Sequence, residues 1–147
     1  MLKMNRLVLA CLAVALMPAA AFAESKAVSV GLVNAWYAAL SPANELPEMQ
    51  IEITRLLSDS AIIELKDLNT IQTKAEFVES LEGWEAAIKG GRVSHKIDAA
   101  STVNNVIATV CYDFSGNALM TREVFDIVDM RITRSVQETI AERCDDF

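Results

Sequence analysis

The stretch from Arg92 to Phe114, RVSHKIDAASTVNNVIATVCYDF, decides the fold. Val93, His95 and Ile97 alternate with Ser94, Lys96 and Asp98; farther on, Val106, Ala108, Val110, Tyr112 and Phe114 alternate with Ile107, Thr109, Cys111 and Asp113. Successive side chains of a strand point to opposite faces, so the rows read as two long antiparallel strands with two distinct faces. A turn over Ser101 to Asn105 pairs positions whose numbers sum to about 205, which puts His95, the only histidine, beside Val110 and one step from Tyr112 on the same face.

Before this hairpin the spacing changes. Phe77, Leu81, Trp84 and Ile88 fall four, three and four apart, the stripe of a helix ending near Lys89 at Gly90-Gly91. Thr73 and Glu76 form a Thr-x-x-Glu capping box at its start, each side chain answering a free amide of the first turn. Lys26 to Leu40 reads as a first helix, with Val28, Leu32, Trp36 and Ala39 on one stripe, stopped by Ser41-Pro42. Asn44 to Leu57 reads as a second, with Pro47 near its start and Ile51, Ile53, Leu56 and Leu57 as apolar surface. Ser58-Asp59-Ser60 then resets the chain as a polar turn, Ala61 to Leu65 reads as a short strand, and Asp67-Leu68-Asn69 is a turn before Thr70-Ile71.

After the hairpin, Ser115-Gly116-Asn117 turns the chain. The apolar, β-branched stretch from Ala118 to Ile140 is too long for one strand and divides near Asp129-Met130-Arg131 into strands Leu119 to Val128 and Ile132 to Ile140.

The first residues read as an export signal. Lys3 and Arg6 lead into an apolar run from Leu7 to Met17, Pro18 breaks it, and Ala21-Phe22-Ala23 supplies the small residues of a cleavage site before Glu24. Residues 1–23 are therefore expected to be removed and 24–147 to form one domain, periplasmic or secreted; Val8-Leu9-Ala10 ahead of Cys11 leaves a lipoprotein as the alternative. Cleavage removes Cys11 and leaves Cys111 and Cys144, a pair expected to form a structural disulfide in an oxidising compartment. Without Lys3 and Arg6, eleven basic residues face twenty acidic ones, a net charge of −9 that argues against nucleic acid or an anionic membrane surface as partner. No second apolar segment is long enough to span a membrane, so none is expected to hold the mature chain there.

The order helix, helix, short strand, capped helix and four long antiparallel strands resembles the nuclear transport factor 2-like superfamily, which includes ketosteroid isomerases and small polyketide cyclases. The resemblance rests on Trp36-Tyr37 in the first helix, on LLSDSAIIEL from Leu56 to Leu65, and on Val128-Asp129-Met130-Arg131-Ile132, where Met130 replaces the usual glycine of an Asp-Gly-Lys/Arg-Ile turn. It implies an α+β fold in which a strongly bent antiparallel sheet wraps the helices into a cone whose mouth is a ligand pocket. Ketosteroid isomerases work with a tyrosine, an aspartate base and a protonated aspartic acid. The nearest residues here are Tyr37, Asp59 and Asp113, but Asp59 lies in a polar turn and Asp113 on the face of Cys111, so that activity is not carried over.

For a ligand pocket the expected lining is Trp36, Tyr37, Trp84, His95 and Tyr112, aromatic groups that serve equally as core. Catalytic candidates are His95 as a general base, with Tyr112 or Asp113. Asp126 and Arg134 flank the last turn as a cross-strand pair, and Glu79, Glu82 and Glu85 make an acidic helix face. No glycine-rich phosphate loop, serine nucleophile elbow or metal-binding pair is present, and no cofactor or metal is expected. The leading expectation is an exported cone-shaped domain that binds a small, largely apolar molecule or associates with a second copy. Association would use an outer sheet face of Ile107, Thr109, Phe125 and Ile127; the alternative is a small isomerase, cyclase or hydrolase of the ketosteroid isomerase-like type.

Overall fold

The computed structural model describes residues 19–145 and 147, with side chains from Ser25 onward. The apolar run of the expected export signal lies outside the described residues. A curved six-stranded sheet carries three helices against its inner face. In chain order the elements are α1 (Ala19–Ala39), α2 (Leu46–Leu56), β1 (Leu57–Leu65), a 3-10 turn (Lys66–Leu68), β2 (Thr70–Thr73), α3 (Lys74–Ile88), β3 (Arg92–Ile97), β4 (Asn105–Phe114), β5 (Asn117–Val128) and β6 (Arg131–Ala141). Across the sheet they run β2-β1-β6-β5-β4-β3; every neighbouring pair is antiparallel except β1 with β6, which is parallel.

The register of β3 on β4 follows the alternation of the side chains, with Val93 opposite Tyr112 and His95 opposite Val110. The capping box stands as read: the Thr73 side chain accepts from the Glu76 backbone amide while the Glu76 carboxylate accepts from that of Thr73. At the other end of α3, a side chain on Gly91 would run into the Asp113 carbonyl oxygen, so only glycine allows the chain to pass β4 there. Asp129 and Met130 both take positive φ, 50° and 56°, and join β5 to β6 as a two-residue turn with Val128 opposite Arg131.

Several expectations change. α1 already runs through residues 19–25 ahead of Lys26, and its buried side is Ser29, Val33, Trp36, Tyr37 and Ala39, whereas Val28 is exposed. α2 buries Met49, Ile53 and Leu56 and turns Ile51 outward. Ser58-Asp59-Ser60 is strand, not turn, because β1 already pairs with β6 from Leu57. Thr70 to Thr73 forms a sixth strand on the edge of β1.

The largest correction concerns the outer face. The hairpin joining β4 to β5 pairs Phe114 with Asn117 and Val106 with Phe125, so odd-numbered residues of β5 share a face with even-numbered residues of β4. Phe125 and Ile127 therefore point into the core with Val106, Ala108 and Val110, and the apolar outer patch expected from Ile107, Thr109, Phe125 and Ile127 does not exist as a set. The outer face is instead stapled by the Cys111–Cys144 disulfide, with Cα atoms 5.8 Å apart. The tail it anchors lays the Phe147 ring 4.5 Å from the Lys96 ammonium on β3.

Candidate functional site

β5 presents Leu119, Thr121, Glu123, Phe125 and Ile127 to the inside, which carries one carboxylate into the apolar interior. Glu123 is fully buried, and three hydroxyls meet it. Tyr112 Oη donates to Oε1 at 2.6 Å, Thr121 Oγ1 donates to Oε1 at 2.9 Å, and Tyr37 Oη donates to Oε2 at 2.9 Å. Burial raises the pKa of the Glu123 carboxyl, and the bonds from Tyr112, Thr121 and Tyr37 act against that rise. Burial, followed by the charge of Glu123, pushes both tyrosines well above 10.0, so both phenols stay protonated at neutral pH.

Above this knot lies a cavity of about 540 Å³. α3 supplies Phe77, Ser80, Leu81 and Trp84 to its wall, β4 and β5 supply Tyr112, Phe114, Leu119 and Thr121, and Leu65, Thr70, Gln72, Gln137 and Thr139 close the side formed by β1, β2 and β6. Trp84 is fixed twice: its ring meets Tyr112 edge to face at 5.2 Å, and its indole N–H donates to the Leu40 carbonyl at 3.1 Å. Tyr112 and Thr121 belong to both structures, lining the cavity while they hold Glu123.

Of the residues singled out from the sequence, Trp84 and Tyr112 line this cavity, and Trp36, Tyr37 and His95 do not. Trp36 is completely buried in the core, stacked on Phe77 at 5.2 Å and against Phe125 at 5.7 Å. Tyr37 lies behind the carboxylate, with its ring stacked on His95 at 4.3 Å. His95 is half-buried; its Nε2 donates to Asn34 Oδ1 at 2.8 Å, and burial lowers its pKa below 6.5, so the ring is neutral at pH 7. Asp113 faces the outer side and stands 3.6 Å from Arg92. The structure thus brings Tyr37, Tyr112 and His95 into one neighbourhood but leaves Asp113 across the sheet. Asp59 is fully exposed and ion-paired with Lys74 at 3.0 Å. Among the described residues, no group of three or more His, Cys, Asp or Glu is arranged to hold a metal ion.

Glu123 was not among the residues singled out. Its signal was present in the alternation, since a carboxylate in the row Leu119, Thr121, Phe125 and Ile127 must be buried with partners if that row faces inward. The alternation alone reads Phe125 and Ile127 as outward, and the pairing of Val106 with Phe125 turns their row inward.

No family model matches the sequence, and no curated protein does. Solved structures do match. A candidate ketosteroid isomerase from Kribbella flavida is 14% identical, with 82% of this chain and 80% of that chain covered and a TM-score of 0.59. An NTF-2 like protein of unknown function from Burkholderia xenovorans is 13% identical, with 82% and 91% covered and a TM-score of 0.62. A candidate polyketide cyclase from Pseudomonas putida is 23% identical, with 73% and 87% covered and a TM-score of 0.57. The fold and the site define a cone-shaped α+β protein with a carboxylate sealed beneath an apolar cavity. The fold itself is that of the nuclear transport factor 2-like superfamily.

Proposed function

We propose that this chain is an exported domain that binds one small, largely apolar molecule in the cavity above Tyr112 and Thr121. The observation that carries the reading is the wall itself: a volume of about 540 Å³, framed by Phe77, Leu81, Trp84, Phe114 and Leu119 and ending on two hydroxyls held in place from below. Concave, mainly apolar surfaces with a few fixed polar groups are the usual makeup of small-molecule sites. Solved structures of this fold described as isomerase and cyclase support the reading by analogy of fold alone. The basic-apolar-small pattern of residues 1–23 supports export.

Native mass spectrometry of the protein purified without refolding tests it. A chain beginning at Glu24, with a small-molecule adduct that is lost when Leu119→Trp fills the cavity, is the expected result. An adduct unaffected by Leu119→Trp would place the ligand elsewhere and end the proposal.

A further inference from the structure

The polar groups of the cavity point to a ligand of one polarity. We infer that the cavity selects an uncharged molecule with an apolar body and a hydroxyl group, a hydrogen-bond donor, and disfavours carboxylates and enolates. The inference rests on the binding reading above and narrows it to a ligand class.

A hydroxyl has one proton to give and lone pairs to receive with. The protons of Tyr112 and Thr121 are both committed to Glu123 Oε1, at 2.6 and 2.9 Å. That commitment does not depend on the charge of Glu123: a proton taken up on Oε2 would face Tyr37 and leave Oε1 an acceptor for both. What either floor hydroxyl can offer a ligand is therefore its lone pairs.

The same holds for three more polar groups of the wall. Ser80 Oγ donates to the Phe77 carbonyl at 2.7 Å, Thr70 Oγ1 to the Leu68 carbonyl at 3.0 Å, and the Trp84 indole N–H to the Leu40 carbonyl at 3.1 Å. Gln72 and Gln137 belong to the polar part of the wall. The amides of Gln72 and Gln137 can turn either end toward a ligand, so the bias toward acceptors comes from the hydroxyls and the indole.

Charge points the same way. Among the described residues no lysine, arginine or histidine lines the cavity, whereas Asp67 stands in its wall and Glu123 lies beneath its floor. An anionic head would meet acceptors and carboxylates with no cation to balance it. This floor is consequently not an oxyanion hole, which needs free donors aimed at the site.

The experiment holds the apolar body constant. Binding of 2-decalol, 2-decalone and decalin-2-carboxylate to the mature protein is measured by isothermal titration calorimetry. The alcohol is expected to bind about tenfold tighter than the ketone, with the carboxylate weakest. Thr121→Val, which removes one acceptor in nearly the same shape, is expected to erase most of the preference, and Thr121→Ser to restore it. Equal or tighter binding of the ketone or the carboxylate overturns the donor inference while leaving a working pocket. Failure of all three to bind, with tryptophan fluorescence unchanged, overturns the pocket reading and this inference with it.

Discussion

Glu123 and Asp126 stand on the same strand, β5, on opposite faces of the sheet. The inner carboxylate is sealed from water and satisfied by three neutral hydroxyls; the outer one is half-exposed and shared between the Asn105 amide at 2.8 Å and the Arg134 guanidinium at 3.8 Å. On the outside, water already solvates charge, and a pairing changes little. On the inside, each donor replaces water that cannot enter, so the same functional group becomes an organising centre for Tyr37, Tyr112 and Thr121.

If the faces differ as described, substitutions on them should differ in size. Phe125→Ala opens a hole between Trp36 and Tyr37 and is expected to cost about 3–5 kcal/mol, whereas Val128→Ala on the outer side should cost under about 0.5 kcal/mol. Urea unfolding of both variants checks the contrast, and similar costs would break it. The disulfide is the outer face's exception. Replacing Cys111 and Cys144 with serine is expected to cost about 2–4 kcal/mol, read as a lowered melting temperature. No loss would mean that the Lys96–Phe147 contact and its neighbours hold the tail alone.

Acid titration sharpens the comparison because the two sides have opposite signs. Burial holds the Glu123 pKa above 4.5, so the folded state keeps that proton longer than the unfolded chain does. Its contribution is fullest below pH 4.5 and is lost as pH rises through the raised folded value. Glu123→Gln should therefore gain on the parent chain with rising pH, a trend that unfolding curves between about pH 4 and 8 would reveal. Glu76 behaves in reverse: the Thr73 backbone amide, then the Thr73 hydroxyl, hold its pKa below 4.5. Its contribution is present above pH 4.5 and disappears as pH falls through the folded value, and Glu76→Gln should flatten the acid limb of the same curves. The smallest effect is expected from Asp126 with Arg134. A double-mutant cycle should give a coupling well under about 1 kcal/mol that weakens further in salt, and a larger coupling would show that the outer face is less wet than its exposure implies.

Much of this fold is legible in the sequence wherever a local rule carries the information. The alternation from Val93 to Phe114 gives the strands and the pairing of His95 with Val110, and Thr73 with Glu76 marks the start of α3. The cysteine pair suggests its own bridge. What local rules do not carry is the relation between hairpins. Whether Phe125 and Glu123 face in or out depends on how the Ser115-Gly116 turn sets the parity between β4 and β5, and a shift of one residue exchanges the faces. The candidate site was lost at that step. Tyr112 could be named from its own strand, but its partner on β5 could not. Ser58-Asp59-Ser60 misled for a related reason: its polarity suits a turn, and only the pairing of Leu57 with Ile132 makes it strand.

That last pairing also bears on the order in which the molecule can form. β3, β4, β5 and β6 are joined in sequence by hairpins and can zip up locally, but β1 takes its neighbour from the far end of the chain, Leu57 beside Ile132 and Leu65 beside Gln137. Loop-closure entropy makes such a contact late and slow relative to the hairpins. The first strand to be synthesised must wait for the last, and a chain stopped before Arg131 would hold β1 and β5 with open edges. The cavity shares that timetable, because Leu65 and Gln137 both belong to its wall.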